Sequence, residues 1–331
     1  MNQRIAPALS QEYLTYSVEE RSQSTSLDVQ LRQLTRGEFV GTNVACNLDN
    51  MLLYKDHWSQ SLLANGVVPD DYILLGAPVG YSHPLEWCGV TMGKHHVALA
   101  KPGCEIDFKI AANGKHMAMV LPIALLRDRL GSETTERLLK SGRELLSAPD
   151  WLTHRFFYKL LYLIDFNQKP SHATDPDPTQ ANWEAELVDD LGEIIWHDSK
   201  AKTDSPRTNR KIVRCAVKAA ENVKEPINIP RFSEIVGVNQ RSLEQAFKQQ
   251  LGVTPKQYIT LRRLHGVYAE LFQRPADSRC VTEVANAWGF TELGRFSGEY
   301  RKLFGELPSE TLQGRSNSRM PRLMENLVAS A

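Results

Sequence analysis

The stretch 227-INIPRFSEIVGVNQRSLEQAFKQQLG-252 decides how the chain is read. Asn228 has the side chain of a helix N-cap, and Pro230 fits the first turn, where a missing N–H costs little. Phe232, Ile235 and Val236 supply an apolar face, and Ser233 is small where a second helix has to cross. Gly237 permits the positive φ of a tight turn. Val238, Leu243, Phe247 and Leu251 then mark the buried side of the next helix. Left on the open side are Asn239, Gln240, Arg241, Ser242, Glu244, Gln245 and Lys248, side chains that hydrogen-bond base edges and phosphates.

The same plan recurs in 281-VTEVANAWGFTELGRFSGEYRKLFGELP-308. Val281, Val284 and Ala285 belong to a short helix, Gly289 to the turn, and Phe290, Phe296, Tyr300 and Phe304 to the buried side of the next helix. Arg295, Ser297, Arg301 and Lys302 stay outside. Between the two copies, 255-PKQYITLRRLHGVYAELF-272 is long enough for one helix of about 27 Å at 1.5 Å per residue. Such a connector can hold two helix-turn-helix units in adjacent major grooves, about 34 Å apart. A lone copy would read as a plain αα-hairpin in a bundle. Two copies joined by a basic helix point to DNA.

Taken together, R-R-L (262–264), V-x-x-V-A-x-x-W-G-F (281–290) and F-x-x-x-Y followed by F-G-x-x-P (296–308) resemble the AraC/XylS transcriptional regulators. The resemblance covers 211–312. It implies a seven-helix DNA-binding domain, with recognition helices at about Gln240–Gln250 and Glu292–Phe304. Positions that read bases in that family fall on Arg241, Ser242, Glu244 and Gln245, and on Leu293, Gly294, Arg295, Ser297 and Gly298. Leu293, Gly294 and Gly298 offer no side-chain hydrogen bond, so the second motif is expected to grip chiefly through Arg295 and phosphates. Val267-Tyr268 departs from the family's usual Ala-Arg. Val267, and Trp288 before Gly289-Phe290, resemble a subgroup that includes ethanolamine-utilisation regulators.

Charge fits this division. The 331 residues carry 39 Lys+Arg and 39 Asp+Glu, a net charge of zero that by itself argues against nucleic acid. Residues 205–331, however, hold 20 basic and 12 acidic side chains, net +8, which leaves −8 on residues 1–204. Such asymmetry points to two parts with different partners. With 42% apolar residues the chain has an ordinary globular composition. The five cysteines form no C-x-x-C pair, so a disulfide framework or structural zinc site is not expected. No secretory signal or membrane span is visible, and a soluble cytoplasmic protein is expected.

The first half reads differently. Residues 1–25 are polar and expected to be loosely ordered. Short apolar runs cut by Gly, Pro, Asn and Asp, such as 39-FVGTNVACNLDN-50 and 72-YILLGAPVGY-81, predict antiparallel strands up to about Leu121. The last is 115–122, with Pro122 opening a helix. Leucines from 125 to 146 and the apolar run 156–164 recur at helical spacing. A further amphipathic helix is predicted over 181–197, its acids Glu186, Asp189, Asp190 and Glu193 forming a solvated face. The family resemblance implies a cupin-like β-barrel with following helices, binding a small effector, dimerising, or both.

The chain is therefore read as an α+β two-domain protein: an N-terminal cupin-like β-barrel with helices, and an all-α C-terminal domain with two helix-turn-helix motifs on a linker helix. Boundaries are placed at 1–25, a 26–198 effector and dimerisation domain, a 199–207 linker, a 208–314 DNA-binding domain and a 315–331 tail. Candidate effector contacts are Trp58, Tyr72, Tyr81, Trp87 and His96. Expected partners are double-stranded promoter DNA, RNA polymerase, a small-molecule effector and a second copy of the chain, without a cofactor or membrane. The −8 half is expected to sharpen selection, so that 205–331 alone discriminates less against random DNA. One alternative is a metal-dependent cupin enzyme using His95, His96 and His116. It lacks the H-x-H spacing that puts two imidazoles on one strand face. A second is a regulator that binds only other proteins.

Overall fold

A computed structural model describes residues 11–24, 28–48, 50–166, 180–198, 208–221, 227–273 and 281–313. The proposed linker 199–207 and tail 315–331 lie outside the described residues. In chain order the first part comprises β1 (Gln11–Thr15), α1 (Val18–Ser24), β2 (Asp28–Gln33), β3 (Gly41–Asn47), β4 (Leu52–Trp58), β5 (Leu62–Val67) and β6 (Tyr72–Pro78). Next come β7 (Leu85–Trp87), β8 (Val90–Thr91), β9 (His96–Ala100), β10 (Glu105–Ile110), β11 (Gly114–Pro122), α2 (Ile123–Leu130), α3 (Ser132–Lys140), β12 (Leu145–Ser147), α4 (Asp150–Phe166) and α5 (Gln180–Asp198). The second part is helical: α6 (Thr208–Glu221), α7 (Ile229–Val236), α8 (Gln240–Leu251), α9 (Pro255–Phe272), α10 (Val281–Ala287), α11 (Leu293–Phe304) and α12 (Pro308–Leu312).

The strands form two antiparallel sheets, ordered β1-β3-β4-β11-β6-β9-β12 and β2-β5-β10-β7-β8. They share one core, in which Val29, Leu31, Leu62 and Ile106 of the smaller sheet join Leu53, Leu75, Val97 and Met119 of the larger. The cupin-like domain is thus two facing sheets and not one closed sheet. The helical part has two cores, one around Phe232, Phe247 and Tyr258, the other around Tyr268, Phe296, Tyr300 and Phe304. Each helix-turn-helix is a packing unit resting on one end of α9.

Several expectations are corrected. Residues 11–24, expected to be loose, form β1, paired with β3, and α1, whose Arg21 is buried. Their polar residues are not a solvated tail, because the barrel supplies partners for them. Leu145 and Leu146, counted on a helix, lie in β12 against β9, a pairing no local period reveals. Pro122 ends β11 and caps α2 instead of opening its first turn. The acids of α5 are not merely solvated. Asp190 is buried and pairs with Arg155 (2.8 Å) and Lys159 (3.0 Å) of α4, while Glu186 and Glu193 join the same network.

The smaller sheet has a different neighbour on each face. Strand alternation points Leu31, Ala64 and Phe108, register partners across β2, β5 and β10, toward the barrel interior. The adjacent row Arg32, Leu63 and Lys109 points outward to the helical domain. Arg32 donates to the Tyr258 hydroxyl of α9 (3.2 Å), Leu63 enters the core of the first helix-turn-helix, and Lys109 donates to the Gln250 carbonyl near the end of α8 (2.6 Å). At the end of β2 the Gln33 N–H lies 2.9 Å from Nε2 of His265, and its side chain donates to the Leu303 carbonyl of α11.

Candidate DNA interface and effector pocket

Local chemistry sets both recognition helices. Asn228 caps α7 by accepting the Arg231 N–H (2.9 Å), and Gly237 takes a left-handed φ of 74° at its end. Asn239 caps α8 in the same way, accepting from the Ser242 N–H (2.8 Å). Its side-chain oxygen is thus committed to the helix start, so Asn239 is placed to orient α8 more than to read a base. Gln240, Arg241, Glu244, Gln245 and Lys248 are exposed along α8, Ser242 is half-buried, and Leu243 and Phe247 face the core. Ile235, expected on the apolar face of α7, is 50% exposed, because that short helix buries only one side.

On α11, Gly294, Arg295, Gly298, Arg301 and Lys302 are exposed, Ser297 is half-buried, and Leu293 packs against the second core. A Cβ at Gly294 or Gly298 would meet nothing within 4 Å, so this face is smooth and open, flanked by Arg295 and Arg301. Lys302 is held by Glu299 (3.3 Å). The basic character of α9 is partly structural. Arg262 lies over the Trp288 ring (5.6 Å), and Arg263 lies over Phe290 (4.2 Å) while donating to the Trp288 carbonyl (2.6 Å). These two arginines fasten the second motif to the linker helix, a role their charge alone does not disclose.

Between the sheets lies a small pocket with mostly apolar walls, including Val29, Leu31, Leu74 and Ile106. Of the five effector candidates, Trp58 and Trp87 line it. Tyr72 packs at the start of β6, Tyr81 lies 43% exposed beyond its end, and His96 accepts the Gly93 N–H (3.0 Å) beside the His95 ring. None of these three lines the pocket.

Polar residues not nominated as effector contacts do line it, among them Arg21, Asp56 and His116. Arg21 makes a two-pronged ion pair with Asp56, Nε to Oδ1 at 3.0 Å and Nη2 to Oδ2 at 2.8 Å. Asn43 donates to the same carboxylate (2.9 Å), and His116 Nε2 lies 3.4 Å from it. Burial would raise the Asp56 pKa, but the Arg21 charge, His116 and these hydrogen bonds outweigh it and hold the carboxyl below its usual range. Burial pushes the His116 imidazole down to about 4 despite Asp56, so it is neutral at pH 7. The sole sequence signal was one Arg, Asp and His, each in a separate segment. Among the described residues, no three or more His, Cys, Asp or Glu gather to hold a metal ion. No described helix is long and apolar enough to cross a membrane.

Residues 232–314 match the family described as a helix-turn-helix domain. The chain is 29% identical over 215 residues to the XylDLEGF operon transcriptional activator 1 of Pseudomonas putida, covering 65% of this chain and 66% of that protein. It is 37% identical over 199 residues to the "Probable thc operon regulatory protein" of Rhodococcus erythropolis, covering 57% of each. The matched region thus spans just under two thirds of the first relative's length, and less of the second's. The crystal structure of a probable AraC family transcriptional regulator from Rhodopseudomonas palustris CGA009 is 32% identical, with a TM-score of 0.29, covering 33% of this chain and 97% of that one. The C-terminal part of this chain is thus an AraC-type helix-turn-helix domain.

Proposed function

We propose that the protein is a sequence-specific, DNA-binding transcriptional regulator that places α8 and α11 in successive major grooves of promoter DNA. The observation that carries this reading is the pair of helix-turn-helix units on one 18-residue helix, each with an exposed arginine-bearing recognition helix. Arg241, Ser242, Glu244 and Gln245 are assigned to base edges in the first half-site, and Arg295 and Ser297 to the second. Lys248, Arg301 and Lys302 are assigned to phosphates. The interior pocket is assigned to a small effector, and the regulator acts through RNA polymerase at the promoter in the cytoplasm.

A homodimer is part of this reading. Trp151, Tyr158 and Tyr162 of α4 and Trp196 of α5 are between 43% and 64% exposed, a cluster of large rings that a second copy would cover. The domain boundary is placed between Asp198 and Thr208, where the charge changes sign. Footprinting on a bound promoter fragment tests the DNA assignment. Two protected major-groove segments one helical turn apart, with affinity falling steeply as salt rises, are expected. Equal affinity for random and promoter DNA at every salt concentration would refute it.

A further inference from the structure

The pocket between the sheets has a charge balance and a set of unused donors that together define its ligand. One wall is a run of parallel rings: Trp58 stacks with Phe108 (5.8 Å, 18°) and Phe108 with Trp87 (6.0 Å, 18°). His116 meets Trp58 edge-on at 4.5 Å. Flat rings at these spacings favour a flat aromatic guest.

The indole N–H groups of Trp58 and Trp87 are buried and have no hydrogen-bond partner among the described residues. Their residues are 2% and 4% exposed, and both line the pocket. Nδ1 of His116, in a residue 6% exposed, is unpartnered as well. Buried donors are ordinarily satisfied, so two idle indoles in one cavity call for an acceptor supplied by a guest.

Charge then sets the kind of acceptor. Arg21 is the only Lys or Arg among the described lining residues, and its Nε and Nη2 both donate to Asp56. With His116 neutral, the polar end of the pocket sums to zero. A carboxylate entering it would be a second buried anion with no free cation to pair with.

We propose that this pocket binds a small uncharged aromatic compound bearing a hydrogen-bond acceptor such as a carbonyl, and rejects the corresponding carboxylate. This rests on the assignment of the pocket to an effector, and it is tested without DNA. Titration calorimetry of the full chain at neutral pH with benzamide, benzoate and ethylbenzene reads it directly. Benzamide is expected to bind at least tenfold tighter than either of the others.

Trp87→Phe keeps the ring and removes one N–H. It is expected to weaken benzamide several-fold and leave ethylbenzene unchanged. Asp56→Asn removes the negative charge facing Arg21 and is expected to reverse the order, with benzoate binding tighter than benzamide. Should Asp56→Asn fail to fold, Trp87→Phe and the wild-type series decide. Benzoate binding as tightly as benzamide, no benzamide binding, or no effect of Trp87→Phe on benzamide would each overturn the proposal. Promoter binding measured on the same preparation separates this from the regulator reading: retained DNA binding with the wrong ligand order sinks the ligand class alone.

Discussion

Gly266 sits in the middle of α9, where alanine would ordinarily be the better residue by about 1 kcal/mol. Here the expected sign is reversed. A Cβ at Gly266 would lie 2.2, 2.3 and 2.4 Å from three carbons of the Trp288 ring, more than 1 Å inside normal contact. The ring cannot simply move aside. Its Nε1 donates to Glu270 (2.8 Å), Arg262 lies over it, and its own carbonyl is held by Arg263. Overpacking of this kind costs roughly 1–3 kcal/mol, and losing the indole–carboxylate hydrogen bond adds about 1.5–3 kcal/mol. After the helix-propensity gain, Gly266→Ala is expected to destabilise the helical domain by about 1.5–5 kcal/mol. At roughly 4–8 °C per kcal/mol for a domain near 100 residues, the melting midpoint should fall by at least about 6 °C. Far-UV circular dichroism of the thermal transition measures it. In a Trp288→Ala background the same substitution should be neutral or stabilising by up to about 1 kcal/mol, because the obstacle is gone. A higher melting midpoint for Gly266→Ala in the wild-type background would refute the close-approach argument.

Arg241→Ala is expected to cost about 1–3 kcal/mol of DNA affinity and relax preference at one base position without altering the melt; unchanged affinity and base preference in a footprint would show that α8 docks in another register. His116 and His265 are both held down to about 4 by burial, His265 also lying beside the charged Arg32. Their neutral forms belong to the fold, and the unfolded chain takes up protons first. Stability is therefore fully present above pH 6.5 and is lost as the pH falls through 6.5 toward 4, by up to about 3 kcal/mol for each histidine. His265→Gln should flatten the slope of urea stability against pH in that window, and an unchanged slope would remove His265 from the account. Gln33→Leu removes side-chain hydrogen bonds to the carbonyls of Thr35, Gly37 and Leu303. Calorimetry should then show the barrel and the helical domain melting in two transitions instead of one.

The helical domain was legible in the sequence because its signals are local. The cap Asn228, the left-handed glycines 237 and 289, and the period of Phe232, Leu243 and Phe247 act within a turn or two, and the structure places them as read. The polar end of the pocket was not legible. Arg21, Asp56 and His116 come from α1, β4 and β11, and only sheet pairing brings them together. Trp58 and Trp87 could be nominated as aromatic residues in strands, but so could Tyr72 and Tyr81. Choosing among them requires the strand register. The inward turn of Arg262 and Arg263 was hidden for a related reason, since an arginine over a ring and one over a phosphate have the same one-letter code.

The smaller sheet shows why the joint between the domains escaped notice. An antiparallel strand with one wet face alternates apolar and polar residues, and 28-DVQLRQ-33 does so. Alternation alone would leave Gln30 and Arg32 in solvent; Gln30 is exposed, yet Arg32 is only 7% exposed. The helical domain covers Arg32 and the end of the strand at Gln33, supplying Tyr258, Glu221, His265 and the Leu303 carbonyl as partners. Beside them Glu105 pairs with Arg214 (3.0 Å) and Lys218 (2.9 Å), so part of the opposition between the −8 and +8 halves is spent at this contact. An interface held largely by hydrogen bonds and ion pairs differs from one held by apolar area. Its groups regain water when the domains part, so separation costs far less than opening either core. The inner row of the same strands, Leu31, Ala64 and Phe108, faces the pocket across a single layer of backbone. A guest that shifts Leu31 or Phe108 acts on the strands that carry Arg32 and Lys109, with no further element between pocket and recognition-helix supports.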